Sequence, residues 1–540
     1  MPHFSDLPRE IQADILDCLV VDKTSLTTAD RRCLLSPMRV NTFWFDHTAD
    51  ILWNNISKLE SAFTALDTVN RRQLYVSKIR YLKLHTSRIH LDRYQDLKFW
   101  SLKRLALRGY HQGILPFLQP NLEIFEFRCN FRLSSHEVNQ MIVLCPNIRE
   151  LHILPVPRQQ LNQHPDLVDS QTFGRFLSIR SLRVLSIGYM VPIHLLSAAL
   201  SVCGTNPPTQ LEKLVLSGLE IFSLPHELNR FLRACTSLRI LETQYRGYGQ
   251  KPLGQEVNNQ AVLKCLSALI YLEYFRLDYD LTGDIVEKCL KGRDAPFRRL
   301  RHLAIKGETA TLSYFLSLPM QSLTRLDLVV GDPFHHICPC IAQIHCLTNI
   351  HLEIGVDRHN PRYNVKFWPG LNDWEGTRED LNALSALKNL QTLSIGPSNI
   401  NLAIPWLTDD YFIQWVTNFP DLLNICLEWE CPLTFASVVA LSKSHPRLRQ
   451  CKLLWTQELG DWNDLPSPQF VDLQHLGLSL VMNFDRSNIR EFVTKFIKHP
   501  SSMSTCTLSR ERGFDPDGNL IVEKADETYV VRLDAKAAAT

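Results

Sequence analysis

A short apolar pattern recurs along most of the chain: an aliphatic residue, two variable positions, an aliphatic or aromatic residue, one variable position and a further apolar residue. It reads LKRLAL (102–107), LEIFEF (122–127), IRELHI (148–153), LRVLSI (182–187), LEKLVL (211–216), LEYFRL (272–277) and LRHLAI (300–305). It continues as LTRLDL (323–328), LTNIHL (347–352), LQTLSI (390–395), LLNICL (422–427), LRQCKL (448–453) and LQHLGL (473–478). Weaker copies starting at Ile79, Leu238 and Met503 bring the starts to sixteen, separated by 20 to 43 residues. Alternation over the last three positions predicts a short strand with one buried face. Repetition at this spacing predicts a stack of like units. Between strands, as in HEVNQMIVLCPNIRE (136–150) and FASVVALSKSHPRLRQ (435–450), apolar residues fall at three- and four-residue steps and a Pro precedes the next strand. That predicts a helix, a stop and a return to the sheet. Strands that re-enter in one direction after a helix build a parallel sheet.

Over residues 76–510 this pattern resembles the leucine-rich-repeat family. The resemblance implies an α/β fold: a curved solenoid with a parallel inner sheet and outer helices. The family's Asn, three residues after the second strand leucine, is matched only by Asn130; Tyr110, Leu219, Asp280, Gly331 and Glu430 stand there in other repeats. The expected solenoid is therefore a degenerate one. A doubly wound α/β domain is disfavoured, because such folds rarely repeat this many strands at near-constant period.

The N-terminal stretch FSDLPREIQADILDCL (4–19) predicts one amphipathic helix with Pro8 in its first turn. Leu7, Ile11, Ile15 and Leu19, with Leu16 beside them, form an apolar stripe; Arg9, Gln12, Asp14 and Asp17 are expected opposite. After a polar loop from Asp22, Val40, Phe43, Trp44, Leu52, Trp53 and Ile56 supply a second apolar set. Leu7-Pro8-x-Glu10-Ile11, Ile15-Leu16, Leu19, Val40, Trp44 and Leu52-Trp53 together resemble an F-box, with a lengthened Asp22–Arg32 loop and Asn41 where a Cys is common. The expected organisation is a small all-helical F-box module (1–58), a connecting helix (59–75), the solenoid (76–510) and a C-terminal hairpin and tail (511–540).

The F-box resemblance implies a substrate-recognition subunit of an SCF-type cullin–RING E3 ubiquitin ligase. Its partners would be a Skp-type adaptor, through it the ligase, and a protein substrate held by the solenoid. The adaptor-contacting set it implies is Leu7, Pro8, Ile11, Ile15, Leu16, Leu19, Val40 and Trp44. A partner helix or groove is bound by apolar anchors at this spacing. The same stripe also fits a helix that merely caps the repeats, leaving a protein-binding scaffold without ligase association.

Composition narrows the classes further. The 540 residues are too many for one ordinary compact core, and 58 basic against 56 acidic side chains give a net charge of +2. No global field draws nucleic acid or an anionic membrane. No apolar run is long enough to cross a bilayer. The fifteen cysteines are scattered, mostly in apolar runs, and read as reduced buried thiols of a cytoplasmic or nuclear protein.

The longest repeats carry polar inserts directly after the strand, at 155–170, 243–259 and 355–376. Insertions at one phase of a repeat project from one edge. The third holds Arg358, Tyr363, Trp368 and Trp374, the anchor-type residues expected to bind substrate, although the two tryptophans also fit a cover for the repeat beneath. The inner sheet face is expected to mix Lys83, Arg104, Arg108, Arg128, Arg276, Lys306 and Arg325 with Glu126, Glu150, Asp278 and Asp327, which suits a protein partner better than a phosphate polymer. FHHICPCIAQIHC (334–346) gathers His335, His336, Cys338, Cys340, His345 and Cys346, but without zinc-finger spacing; Ile337, Ile341 and Ile344 explain it as an outer helix. With no phosphate-binding Gly-rich loop, GxSxG or HExxH in the sequence, neither a catalytic residue nor a metal or cofactor is expected. Asn519–Lys524 and Thr528–Leu533 alternate as a closing hairpin.

Overall fold

The computed structural model describes residues 7–20, 26–56, 63, 66, 68–84, 94–107, 114–128, 135–154, 170–188, 196–197, 200–202, 208–217, 225–244, 256–281, 283–291, 296–330, 337–354, 377–397, 404–455, 470–480, 505–510 and 529–532. The chain forms two compact units, Met1–Arg246 and Gly247–Thr540. The division falls inside the polar insert 243–259.

The first unit opens with α1 (Arg9–Cys18), α2 (Thr28–Leu35), a 3-10 turn over Pro37–Arg39, and α3 (Thr42–Asn54). Pro8 stands at the N-cap of α1, one position before the first turn expected of it, and its carbonyl accepts from Gln12 N at 3.0 Å. α2 rises where the sequence reading places a polar loop. Its start is fixed by a reciprocal cap: Thr27 Oγ1 accepts from Asp30 N at 3.1 Å, and the Asp30 carboxylate accepts from Thr27 N at 2.8 Å. α3 is capped by Asn41 Oδ1, which accepts from Trp44 N at 2.8 Å. Val20, Leu34, Ile51 and Leu52 share one core, with Leu26, Met38 and Trp53 packed against it.

The module runs straight into the repeats. β1 (Asn55–Ile56) pairs in parallel with β2 (Tyr81–Leu84), and α4 (Val69–Val76) lies between them in sequence. There follow β3 (Arg104–Leu107), β4 (Ile124–Arg128), α5 (Ser135–Leu144), β5 (Glu150–Leu154), α6 (Ser170–Leu177), β6 (Val184–Ile187), β7 (Lys213–Ser217), α7 (Pro225–Ala234) and β8 (Ile240–Gln244). Parallel pairing sets Leu82, Leu105, Phe125, Leu151, Leu185, Leu214 and Leu241 side by side in one buried column. Phe176 on α6 stacks on Phe127 with ring centroids 5.6 Å apart, so the helices cover this buried side. Each such fully buried side chain contributes roughly 1.5–3 kcal/mol.

The second unit repeats the plan. It contains α8 (Glu256–Leu266), β9 (Tyr274–Leu281), α9 (Gly283–Leu290), β10 (His302–Gly307), α10 (Thr309–Leu316), β11 (Arg325–Val330), α11 (Ile337–Ala342), β12 (Asn349–Ile354) and α12 (Arg378–Leu384). It continues with β13 (Thr392–Pro397), α13 (Asp409–Val416), β14 (Asn424–Cys431), α14 (Phe435–Ser444), β15 (Gln450–Trp455), β16 (His475–Leu480), β17 (Thr505–Arg510) and β18 (Tyr529–Arg532). β9 to β17 pair in parallel, and β18 closes the ladder antiparallel to β17. β18 lies within the second segment of the expected C-terminal hairpin; the first, Asn519–Lys524, falls outside the described residues.

Every strand from β2 to β17 begins two residues after one of the sixteen pattern starts. The turns that deliver them use a device other than the family Asn. The residue just before the pattern bonds the neighbouring turn: Asn121 Nδ2 donates to Trp100 O at 2.7 Å, Asn147 Nδ2 to Pro120 O at 2.9 Å and Ser181 Oγ to Ile148 O at 2.7 Å. In the second unit Cys346 Sγ reaches Leu323 O at 3.0 Å and Asn389 Nδ2 reaches His345 O at 3.2 Å. These side chains satisfy turn carbonyls that neither ladder nor helix can reach.

Candidate functional site

The predicted apolar stripe of α1 is divided between interior and surface. Leu16 is fully buried and Trp44 nearly so, which removes both from the set that faces a partner. Leu7 and Ile15 are half-buried, while Pro8, Ile11, Leu19 and Val40 are exposed, Ile11 by 45%, Leu19 by 41% and Val40 by 55%. The cause is Gln12, which the sequence reading places on the polar face. It is buried instead: its Oε1 accepts from Trp44 Nε1–H at 2.6 Å and its Nε2 donates to Leu7 O at 2.7 Å. A buried indole N–H needs an acceptor. Meeting that need turns Gln12 and Leu16, one helical turn apart, inward and leaves Ile11 and Leu19 outside.

The module is also anchored to the first repeat. Trp53 stacks on Tyr75 of α4 at 4.6 Å, and Lys78 Nζ pairs with Asp50 at 3.0 Å and Asp46 at 3.3 Å. Burial works to lower the Lys78 pKa, but hydrogen bonds and charge from Asp50 and Asp46 outweigh it and hold the ammonium above its ordinary value.

On the strand face opposite the buried columns, charges pair across neighbouring strands. Arg104 bonds Glu126 and lies 4.8 Å over the Tyr81 ring; Lys213 meets Glu242 at 2.9 Å. In the second unit His302 Nε2 sits 2.7 Å from Asp327 Oδ2, and Arg325 Nε donates to Asp327 Oδ1 at 3.2 Å. Burial tends to raise the Asp327 pKa, but hydrogen bonds and charge from His302 and Arg325 prevail and hold the carboxyl below its ordinary value. Beyond β11 neutral pairs join the charged ones: His351 Nδ1 lies 2.9 Å from Ser394 Oγ, Asn424 Nδ2 donates to Thr392 Oγ1 at 3.0 Å, and Lys452 pairs with Glu428 of the neighbouring strand. Lys83, Glu150, Arg276 and Lys306 are half-buried on the same strands. Arg108 and the side chains of Arg128 and Asp278 lie outside what is described.

The four expected substrate anchors, Arg358, Tyr363, Trp368 and Trp374, fall outside the described residues, as do most of the three inserts. Within 334–346, α11 buries Ile337, Cys338 and Ile341, which matches the outer-helix reading. Burial pushes the thiols of Cys145, Cys431 and Cys451 up to about 12 and that of Cys426 to about 11, so these cysteines stay protonated packing groups. Cys18 and Cys33, by contrast, are exposed. Several polar groups of the described sheet face thus pair with one another across neighbouring strands.

No protein-family model matches the chain, and no curated protein matches it. Among solved structures, the Rad7 and Elc1 complex of yeast aligns with 16% identity over 79% of this chain and 98% of that one, at a TM-score of 0.37. The leucine-rich repeat-containing protein LegL7 from Legionella pneumophila aligns with 13% identity over 59% of this chain and 90% of that one, at a TM-score of 0.30. These superpositions are too loose to carry function. The parallel ladder with its covering helices is itself the α/β strand–helix repeat fold of the leucine-rich-repeat type.

Proposed function

We propose that the protein is a non-catalytic substrate-recognition subunit of an SCF-type cullin–RING ubiquitin ligase, acting in the cytoplasm or nucleus. In this reading the N-terminal module is an F-box that docks on a Skp-type adaptor, and the repeats hold a protein substrate. The observation that supports it is the exposure of Ile11, Leu19 and Val40 on a module whose interior is already filled by Leu16, Trp44 and Gln12. Large apolar side chains left outside a complete core are the kind of anchors that a partner's groove would cover.

The second reading, a protein-binding repeat scaffold capped by its N-terminal helices, is favoured by the Trp53–Tyr75 stack and the Lys78 ion pairs. Co-expression with a Skp-type adaptor separates the two. Ile11→Asp with Leu19→Asp should abolish co-purification while circular dichroism and thermal unfolding stay unchanged. No stable complex with the unaltered chain, or undiminished capture by the double variant, would turn the assignment to the scaffold.

A further inference from the structure

Strands of the second unit enter the sheet through one repeated turn, in which the first pattern leucine donates to a buried residue three positions earlier, as Leu300 N to Phe297 O at 2.9 Å and Leu422 N to Phe419 O at 3.1 Å. Equivalent positions can therefore be compared repeat by repeat. Ahead of β11, β12 and β13 the three outward positions carry at most one Lys or Arg; ahead of β14 and β16 they carry one Asp each, and ahead of β15 two arginines, Arg447 and Arg449, beside Pro446. Ahead of β10 they are Arg298, Arg299 and Arg301, all exposed. Where other turns place a short Asn, Ser or Cys that bonds a neighbouring carbonyl, Arg299 extends outward and lies 5.0 Å over the ring of Tyr271.

Three further observations converge on this turn. Tyr271 and Ile270, at matching positions ahead of β9, are exposed by 39% and 63%. The one carboxylate among the described outward positions of these two turns is the half-buried Glu273, whose backbone carbonyl accepts from Arg301 N at 2.8 Å. Phe297, immediately before the arginines, has φ 59°, the only left-handed non-glycine backbone among the described residues. A bulky residue holds that conformation only where packing over-determines it. Phe297 is buried and stacked on Phe275 at 5.9 Å, with Phe315 at 5.4 Å. The arginines thus leave a fixed point of the core.

We propose that Arg298, Arg299 and Arg301, with Ile270 and Tyr271, form a docking site for an acidic polypeptide segment of a protein partner, in which Asp and Glu flank an apolar side chain. A guanidinium stacked on an aromatic ring is pre-oriented and leaves its fork free for a carboxylate. Chain-wide charge does not explain the patch, because the whole sequence carries only +2. A phosphate polymer needs a longer basic track; the next turn, Gln321, Ser322 and Thr324, is neutral.

The probe is a short fluorescein-labelled peptide of Asp and Glu around one Phe, measured by anisotropy against the full-length protein. Arg298→Glu with Arg299→Glu should weaken binding at least about tenfold. The control, Arg447→Glu with Arg449→Glu in the turn ahead of β15, should leave it within about twofold. Ile270→Ser, which changes no charge, should weaken the Phe peptide but not its Ser counterpart. Absent binding, equal weakening by both charge reversals, an inert Ile270→Ser, binding that requires phosphoserine, or tighter binding of a single-stranded oligonucleotide of equal charge would each overturn the proposal. The site is independent of the adaptor reading, which rests on the other unit.

Discussion

Removing the Gln12 side chain should loosen the N-terminal module locally, well before it affects the repeats. In Gln12→Ala the Trp44 indole N–H loses an acceptor 2.6 Å away, and the Leu7 carbonyl loses a donor 2.7 Å away. Both partners of the first bond are nearly buried, Gln12 by all but 4% and Trp44 by all but 7%, so water replaces the acceptor poorly. An orphaned buried donor costs about 1–3 kcal/mol. Converted to a local opening equilibrium, that is roughly 5- to 150-fold faster amide exchange. Native-state hydrogen exchange by mass spectrometry should show the acceleration in peptides covering Arg9–Cys18 and Thr42–Asn54, with those covering Arg325–Val330 unchanged. Trp44→Phe alone should also accelerate exchange. Gln12→Ala with Trp44→Phe should cost less than the sum of the two single changes, because the double variant leaves neither end of the bond orphaned. Unchanged exchange in Gln12→Ala, or strict additivity in the cycle, would refute the claim that this bond orients α1.

Asp327→Asn should flatten the acid limb of thermal stability. The Asp327 carboxyl is held below its ordinary 3.8, so its contribution is complete above that value and is lost as pH falls through the lower folded value; melting scans across that range read the difference. Asn147→Ala, which deletes the 2.9 Å bond to Pro120 O, should cost about 0.5–1.5 kcal/mol and raise exchange in the turns ahead of β4 and β5. Alkylation mapped by mass spectrometry should label Cys18 and Cys33 in the folded protein, and Cys145, Cys431 and Cys451 only after denaturation, because these three are buried with pKa values pushed up to about 12.

Where two residue periods coexist in the chain, the sequence resolved them well. Period-two alternation at sixteen places marked every strand from β2 to β17, because a strand with one buried face leaves no freedom of register. The helix over 435–450 was equally legible, and it appears as Phe435–Ser444. What escaped was governed by single polar side chains. The rotation of α1 depends on one hydrogen bond across 32 residues of sequence, from Trp44 to Gln12, and a helical wheel ranks Gln as a surface residue. α2 was hidden because Thr27-x-x-Asp30 reads as loop composition, although that spacing is itself a helix-start signal. The turn ladder of Asn121, Asn147, Ser181, Cys346 and Asn389 stands at a constant phase, immediately before the pattern, but mixed Asn, Ser and Cys in a turn carry no sequence signal that separates a carbonyl-bonding ladder from ordinary turn composition.

Capping of the repeats and the docking proposed above rest on different residues of the N-terminal module. α3 does the capping: its Asp46, Asp50 and Trp53 meet Lys78 and Tyr75, and β1 at its end joins the ladder through Ile56 opposite Leu82. α1 touches the rest mainly through α3, with Gln12 to Trp44 and Asp17 to His47 at 3.1 Å. Deleting residues 1–56 would therefore strip β2 of one of its two ladder partners and Tyr75 of its stacking ring, so lost adaptor capture after such a deletion would report a damaged first repeat as readily as a missing docking face. Charge placed on Ile11 and Leu19 leaves α3, β1 and the Lys78 pairs in place. The surface substitution thus separates two roles that truncation confounds, because the residues left outside on α1 are not the ones that hold the module to the repeats.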